Sequence, residues 1–174
     1  VRLFVGILVI VGIDVGLNTV IPKLLVEKTG MELSRAGLGT SLYFVARTAG
    51  TFVGAIALAK CNARSIMRGT MAVAIAAMLV LMIAKSQWAL WASIAVVGMM
   101  YANVFGIIFA YALQHRPEQT NQVSSLMIMG VSGGALFAPI MGLIADNSTQ
   151  AVSMCVVLLG TIYLLLFISN RRKD

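Results

Sequence analysis

Charge is scarce in this chain: 11% of its 174 residues are Asp, Glu, Lys or Arg, against about 25% in an ordinary soluble domain. Histidine occurs once, at His115, and cysteine twice, at Cys61 and Cys155. One cysteine falls in a basic loop and the other inside an apolar run, so neither a disulfide framework nor a metal cluster is expected. There is no Gly-rich phosphate loop, no low-complexity tract and no second domain. Period-two alternation over ten residues, the mark of a membrane β-strand, is also missing. What abounds is apolar surface, with 60% hydrophobic residues and a mean hydropathy of +0.95. A soluble 18.5 kDa domain cannot hide that much. A cytosolic enzyme, a nucleic-acid binder and a disordered segment are excluded; the composition is that of an integral membrane protein.

The net charge of +7 would suggest nucleic acid in a soluble chain. In a membrane protein it reflects cations gathered in cytoplasmic loops, and no nucleic-acid partner is expected. No signal peptide is visible and the first residue is Val1, so the expectation is a piece of something longer.

A transmembrane helix needs about 20 mainly apolar residues. Six stretches qualify, at about 3–26, 36–59, 66–84, 88–113, 123–145 and 151–169. The expected fold class is therefore all-α: one six-helix transmembrane bundle over residues 1–174, with short loops that force neighbours to pack antiparallel. A cytoplasmic N-terminus places Arg2, Lys60, Arg64, Arg68, Arg116, Arg171, Arg172 and Lys173 on one side. Lys23, Lys28, Arg35 and Lys85 fall on the other. The excess puts both termini in the cytoplasm, with the tail 170–174 as a topology anchor. Trp88 and Trp91 then lie at the outer interface. A glycine-led small-residue pattern closes the second span at 54–60 and the fifth at 142–148. It suggests two inverted three-helix repeats.

Only Asp14 and Arg47 are charged well inside spans. Either would cost at least about 2.5–3.5 kcal/mol at the centre of an isolated helix, so each needs a partner or a cavity. The functional reading makes Asp14 a proton or substrate site, and Arg47 its counter-ion or a donor to substrate oxygens. The plain alternative is an ion pair that fixes helix packing. Asn18 shares a face with Asp14, as Tyr43 does with Arg47. The Asn18 amide offers both donors and an acceptor, which suits a hydroxyl-rich ligand. Pro22 should free a backbone carbonyl near Asn18 and serve as a gate or a kink. The fourth span mixes Tyr101, Asn103, Phe105, Phe109 and Tyr111. Asn103 needs partners if buried, and Phe109 is a candidate for stacking on a sugar face. Small residues of the fifth span, Gly133 and Gly134 before Pro139, allow close packing or a moving gate.

The string Gly130-Val-Ser132-Gly133 matches an intramembrane serine protease motif. That chemistry needs a histidine in a later helix, whereas His115 precedes the serine in a cytoplasmic loop. No enzyme is expected.

With these positions in hand, the chain resembles half of a major facilitator superfamily transporter. More closely it is similar to the C-terminal six helices of the fucose permease and glucose/galactose transporter family. The residues that carry the likeness are 11–18 (Val-Gly-Ile-Asp-Val-Gly-Leu-Asn), 103–113, and 125–135 through 142–146. The chain departs from that pattern in having Asp14 where glutamate is usual. Its second loop retains Lys60 and Arg64 of the superfamily's gate motif, with Ala59 and Ala63 before them. The resemblance implies half of a twelve-helix fold and proton-coupled monosaccharide uptake by alternating access, without a cofactor; the alternatives are a facilitator of another substrate, a drug or an organic anion, and a non-transporting structural or assembly protein. It also implies a plasma-membrane location and an N-terminal six-helix half as partner. Substrate would be lined by Asp14, Asn18, Tyr43, Arg47, Asn103 and Phe109. Pro22, Gly54, Lys60, Arg64, Gly133, Gly134 and Pro139 would serve gating or packing.

Overall fold

The structure, a computed structural model, describes residues 2–115 and 117–169. Arg116 and the basic tail 170–174, expected to help set the topology, lie outside the described residues. Those described form eight α-helices: α1 Arg2–Thr29, α2 Leu33–Lys60, α3 Ala63–Ile83, α4 Gln87–Tyr101, α5 Val104–His115, α6 Thr120–Met129, α7 Gly133–Asn147 and α8 Gln150–Ser169. Two pairs stack end to end, α4 with α5 and α6 with α7, so the helices make six columns. Five columns are long and apolar enough to cross a membrane. In the sixth, α8, the apolar stretch with described side chains is Gln150–Leu166, at the short end of the spanning range of about 17–25 residues.

The helix ends follow local chemistry. Gly30 stops α1 because it takes a left-handed φ of +68°, and its N–H returns to the Val26 carbonyl. Asn62 starts α3 by accepting the Arg64 backbone N–H on its side chain. Loops are shorter than expected, because the helices continue to their caps through polar end residues that a hydropathy window rejects. Only Cys61 and Asn62 separate α2 from α3.

Pro22, expected as a gate or a kink, lies inside α1, which continues unbroken to Thr29. Two expectations need correction. The fourth and fifth spans are each two helices. Ala102 and Asn103 interrupt the fourth where the Asn103 amide donates to the Gly50 carbonyl of α2, 2.9 Å away. A tight 3-10 turn, Gly130–Ser132, interrupts the fifth. There the Ser132 hydroxyl donates to the Met129 carbonyl, and the glycines are weak helix formers. Finally, α2 and α3 barely touch despite their two-residue link. Instead α2 leans on α4, and α3 on α4 and α8.

α1 is the central column, packed against α2, α5, α7 and α8. Ile7, Ile10, Ile13, Leu17, Ile21 and Leu24 are almost fully buried along it. By contrast α2 is the least covered, with Leu38, Val45, Phe52, Val53 and Ile56 exposed. Five methionines lie in the buried core of α3, α7 and α8: Met67, Met71, Met78, Met141 and Met154. Flexible thioethers of this kind fill irregular gaps between helices.

Candidate functional site

The two membrane-embedded charges meet. Arg47 of α2 forms a salt bridge through Nη1 to Oδ1 of Asp14 on α1. The Tyr43 hydroxyl, one turn before Arg47, donates to the same Oδ1 at 2.5 Å. Tyr43 and Arg47 reach one carboxylate because residues four apart share a helix face. Tyr43 is fully buried, whereas the Arg47 and Asp14 side chains keep 22% and 23% exposure. The cluster therefore has a sealed side and an open one.

Glycines set the distance between these helices. A Cβ on Gly39 would stand 2.5 Å from Leu25 Cδ1 and 3.0 Å from Ile21 Cγ2 on α1, so α2 and α1 close together just beyond the cluster. On the other flank of α2, a Cβ on Gly50 would fall 2.7 Å from the Met99 carbonyl oxygen of α4. Backbone thus meets backbone at that crossing. Small residues at helix contacts permit such an approach where lipid supplies no hydrophobic drive.

Asn18 lies one turn beyond Asp14, and its amide nitrogen donates to the Asp14 carbonyl at 2.9 Å. Its Oδ1 is buried and has no hydrogen-bond partner. Asn103 and Phe109 do not join this cluster. The Asn103 amide covers Gly54 and bonds Gly50, acting as a packing group between α2 and the α4–α5 break. Phe109 stacks on Phe105 at 5.8 Å within α5. Its neighbour Ile108 lies at the level of Gly6, eight residues and so about 12 Å of helix from Asp14.

Gly133 and Gly134 press the second half of the fifth column onto α1: added Cβ atoms would strike the backbone of Leu8 and the Val15 side chain. Pro139 lies inside α7. Lys60 and Arg64 flank the Cys61–Asn62 turn at the end of α2 and the start of α3.

Two polar features escaped the sequence analysis. The Tyr101 hydroxyl is fully buried, paired with the Thr161 hydroxyl of α8 and 3.3 Å from the Met78 sulfur of α3. Nothing in an apolar α8 marks its lone mid-helix threonine. The second is a clip at the end of α1. Lys28 Nζ donates to the carbonyls of Leu81, Met82 and Ala84 at 3.0, 2.6 and 2.9 Å. Beside it, the Glu27 carboxylate accepts the Gln150 N–H at the start of α8. Lys28 had been counted only as a loop cation.

The fold is thus a six-column helical bundle whose first two columns carry a charged pair, Asp14 and Arg47, near their middles. The model of the Major Facilitator Superfamily matches residues 3–174, and the chain belongs to that family. It is 25% identical over 144 residues to the glucose/galactose transporter of Brucella abortus, in biovar 1 strain 9-941 and in strain 2308 alike. That match covers 82% of this chain and 35% of the relative, so the chain spans about a third of its length. Among solved structures it resembles the transporter FucP in the outward conformation, with a TM-score of 0.91 at 17% identity. A variant of the E. coli fucose:proton symporter FucP gives 0.89 at 17% identity. Each likeness covers 99% of this chain and 42% of the other.

Proposed function

We propose that this chain is the C-terminal half of a secondary transporter that carries a monosaccharide together with protons by alternating access. The observation that supports it most is the Asp14–Arg47–Tyr43 cluster, partly open, on the face of α1 and α2. Because the carboxylate and guanidinium neutralise each other, the site carries no net charge and suits an uncharged polyhydroxylated solute. A paired Asp14 also fits binding and orientation better than proton carriage, which would then fall to the N-terminal half. The likeness to a glucose/galactose transporter and to a fucose:proton symporter favours sugar as cargo.

In this reading α1 to α3 and α4 to α8 are two three-column units of inverted topology. Both termini face the cytoplasm, and Trp88, 86% exposed, anchors at the outer surface. Asp14, Asn18, Tyr43 and Arg47 line the substrate path near the midplane. Pro22, Gly133, Gly134 and Pro139 give the column contacts that slide, while Lys60 and Arg64 belong to the cytoplasmic gate.

The test is uptake of labelled galactose and glucose by the full-length protein in proteoliposomes, with and without an inward proton gradient. Gradient-driven accumulation that Asn18→Ala abolishes, with insertion unchanged, is the expected result. Equal uptake with and without the gradient would remove the coupling, and no uptake of either sugar would remove the substrate class.

A further inference from the structure

Three helices meet around a hollow of about 300 Å³, where α1 finishes and α2 and α8 begin. Lys23, Val26 and Glu27 of α1 line it, with Leu33 of α2 and Gln150 of α8. That volume is at the small end of the range for ligand sites, about 300–1,000 Å³. Lys23 is nine residues past Asp14, about 14 Å along the helix, so the hollow is separate from the charged cluster.

The polar groups of the hollow do not satisfy one another. Lys23 and Glu27 are one turn apart on the same face of α1, yet they form no ion pair. A lysine four residues before a glutamate is the weaker order for such a pair. Glu27 instead takes the backbone N–H of Gln150 on Oε2, at 2.8 Å. Lys28, the cation next to it, is engaged by three carbonyls at the end of α3. Among the described residues Lys23 is left exposed, without a hydrogen bond or an ion pair. Gln150 Oε1 is buried in the wall without a partner, which costs free energy until a donor reaches it. The last torsion of a glutamine is soft, so a small turn of the amide brings that oxygen into the hollow.

A cation, a carboxylate and an amide acceptor thus stand around two apolar side chains, Val26 and Leu33. The guest that matches them carries an anionic group for Lys23 and a primary ammonium, whose N–H donors divide between Glu27 and Gln150 Oε1. The rest of it is apolar. We infer that this hollow binds a small zwitterion, with its ammonium and its anion a few bonds apart. The site does not depend on the cargo proposed above. Two sources offer this chemistry: an apolar α-amino acid in solution, and the headgroup of phosphatidylethanolamine, because the ends of spanning helices lie at headgroup level.

The test dialyses the full-length protein in detergent to equilibrium against radiolabelled leucine. Saturable binding is expected, with isoamylamine and isocaproate, which each lack one of the charges, bound about ten- to a hundredfold more weakly. Lys23→Gln should weaken leucine binding to a similar degree, as should Gln150→Met, which keeps the length and removes the acceptor. Neither side chain has a partner to lose, so both variants should melt with the wild type. A second arm compares Tm in nanodiscs of phosphatidylethanolamine and of phosphatidylcholine, whose quaternary ammonium has no N–H. A Tm gain in phosphatidylethanolamine that both variants abolish, without leucine binding, identifies the lipid as the source. Absence of both effects overturns the site. So does leucine binding or a lipid gain that either variant leaves unchanged, or a singly charged analogue that binds as tightly as leucine.

Discussion

Gly98 of α4 lies directly against Tyr43 of α2: a Cβ at Gly98 would stand 2.5 Å from the Tyr43 carbonyl oxygen and 3.2 Å from its ring. The tyrosine that steadies Asp14 is thus held in place from behind by a missing side chain. Gly98→Ala must push α4 off α2, and a destabilisation of about 1–3 kcal/mol is expected from overpacking. Gly106→Ala is the control, since nothing lies within 4 Å of a Cβ there. It should be neutral or slightly stabilising, because alanine favours helix. Thermal unfolding in detergent compares the two; equal midpoints would contradict the close contact.

The salt bridge makes a double-mutant cycle informative. Asp14→Asn leaves Arg47 without its counter-charge in a low-dielectric setting, and Arg47→Gln strands Asp14. Each single change should cost about 3–5 kcal/mol, while the double variant should recover much of the loss. Stability and uptake should then separate: the double variant folds, yet transport stays lost, because the site no longer orients its substrate. If transport returned with stability, the pair would serve packing alone.

Gly54 and Asn103 form a second coupled pair. A Cβ on Gly54 would overlap the Asn103 amide, which donates to Gly50. Gly54→Ala should lower the unfolding midpoint by an amount equivalent to about 1–3 kcal/mol. Adding Asn103→Ala should relieve part of that loss by opening the space. Additive losses in the double variant would show that the two side chains are not in conflict.

Lys28 holds three carbonyls at the end of α3. Lys28→Met keeps the apolar stem and removes the donors, with an expected loss of about 1–3 kcal/mol. The effect should be local as well as global. The last turn of α3, where the Ala84 N–H returns to Val80, should exchange its amide hydrogens faster than the middle of the helix. Unchanged exchange there would remove the clip.

Much of this molecule is written at the level of single helices. The apolar runs and the rarity of charge marked the columns, and the i, i+4 spacing correctly grouped Tyr43 with Arg47 and Asp14 with Asn18. Whether Asp14 meets Arg47 cannot be read from the sequence, because which faces oppose each other is decided by packing. The glycines at 39, 50 and 98 decide it, and glycine is so frequent in such helices that its position carries little signal by itself. The breaks at Ala102–Asn103 and Gly130–Ser132 were likewise hidden, since both interrupt runs of unchanged hydropathy. Asn103 was read for its amide chemistry, and the need of that amide for a partner was real. The partner is the Gly50 carbonyl, a group present at every residue and so invisible to residue type.

The adjacent acid and base at the end of α1 can distinguish the direction in which a neighbouring helix runs. Glu27 sits where α8 begins and its free N–H groups carry partial positive charge, while Lys28 sits where α3 finishes and its carbonyls are negative. Were either neighbour threaded through the bilayer in the opposite sense, each charge would face a helix end of its own sign. Two consecutive side chains thus match, each with its own sign, one helix that ends at this surface and another that begins there.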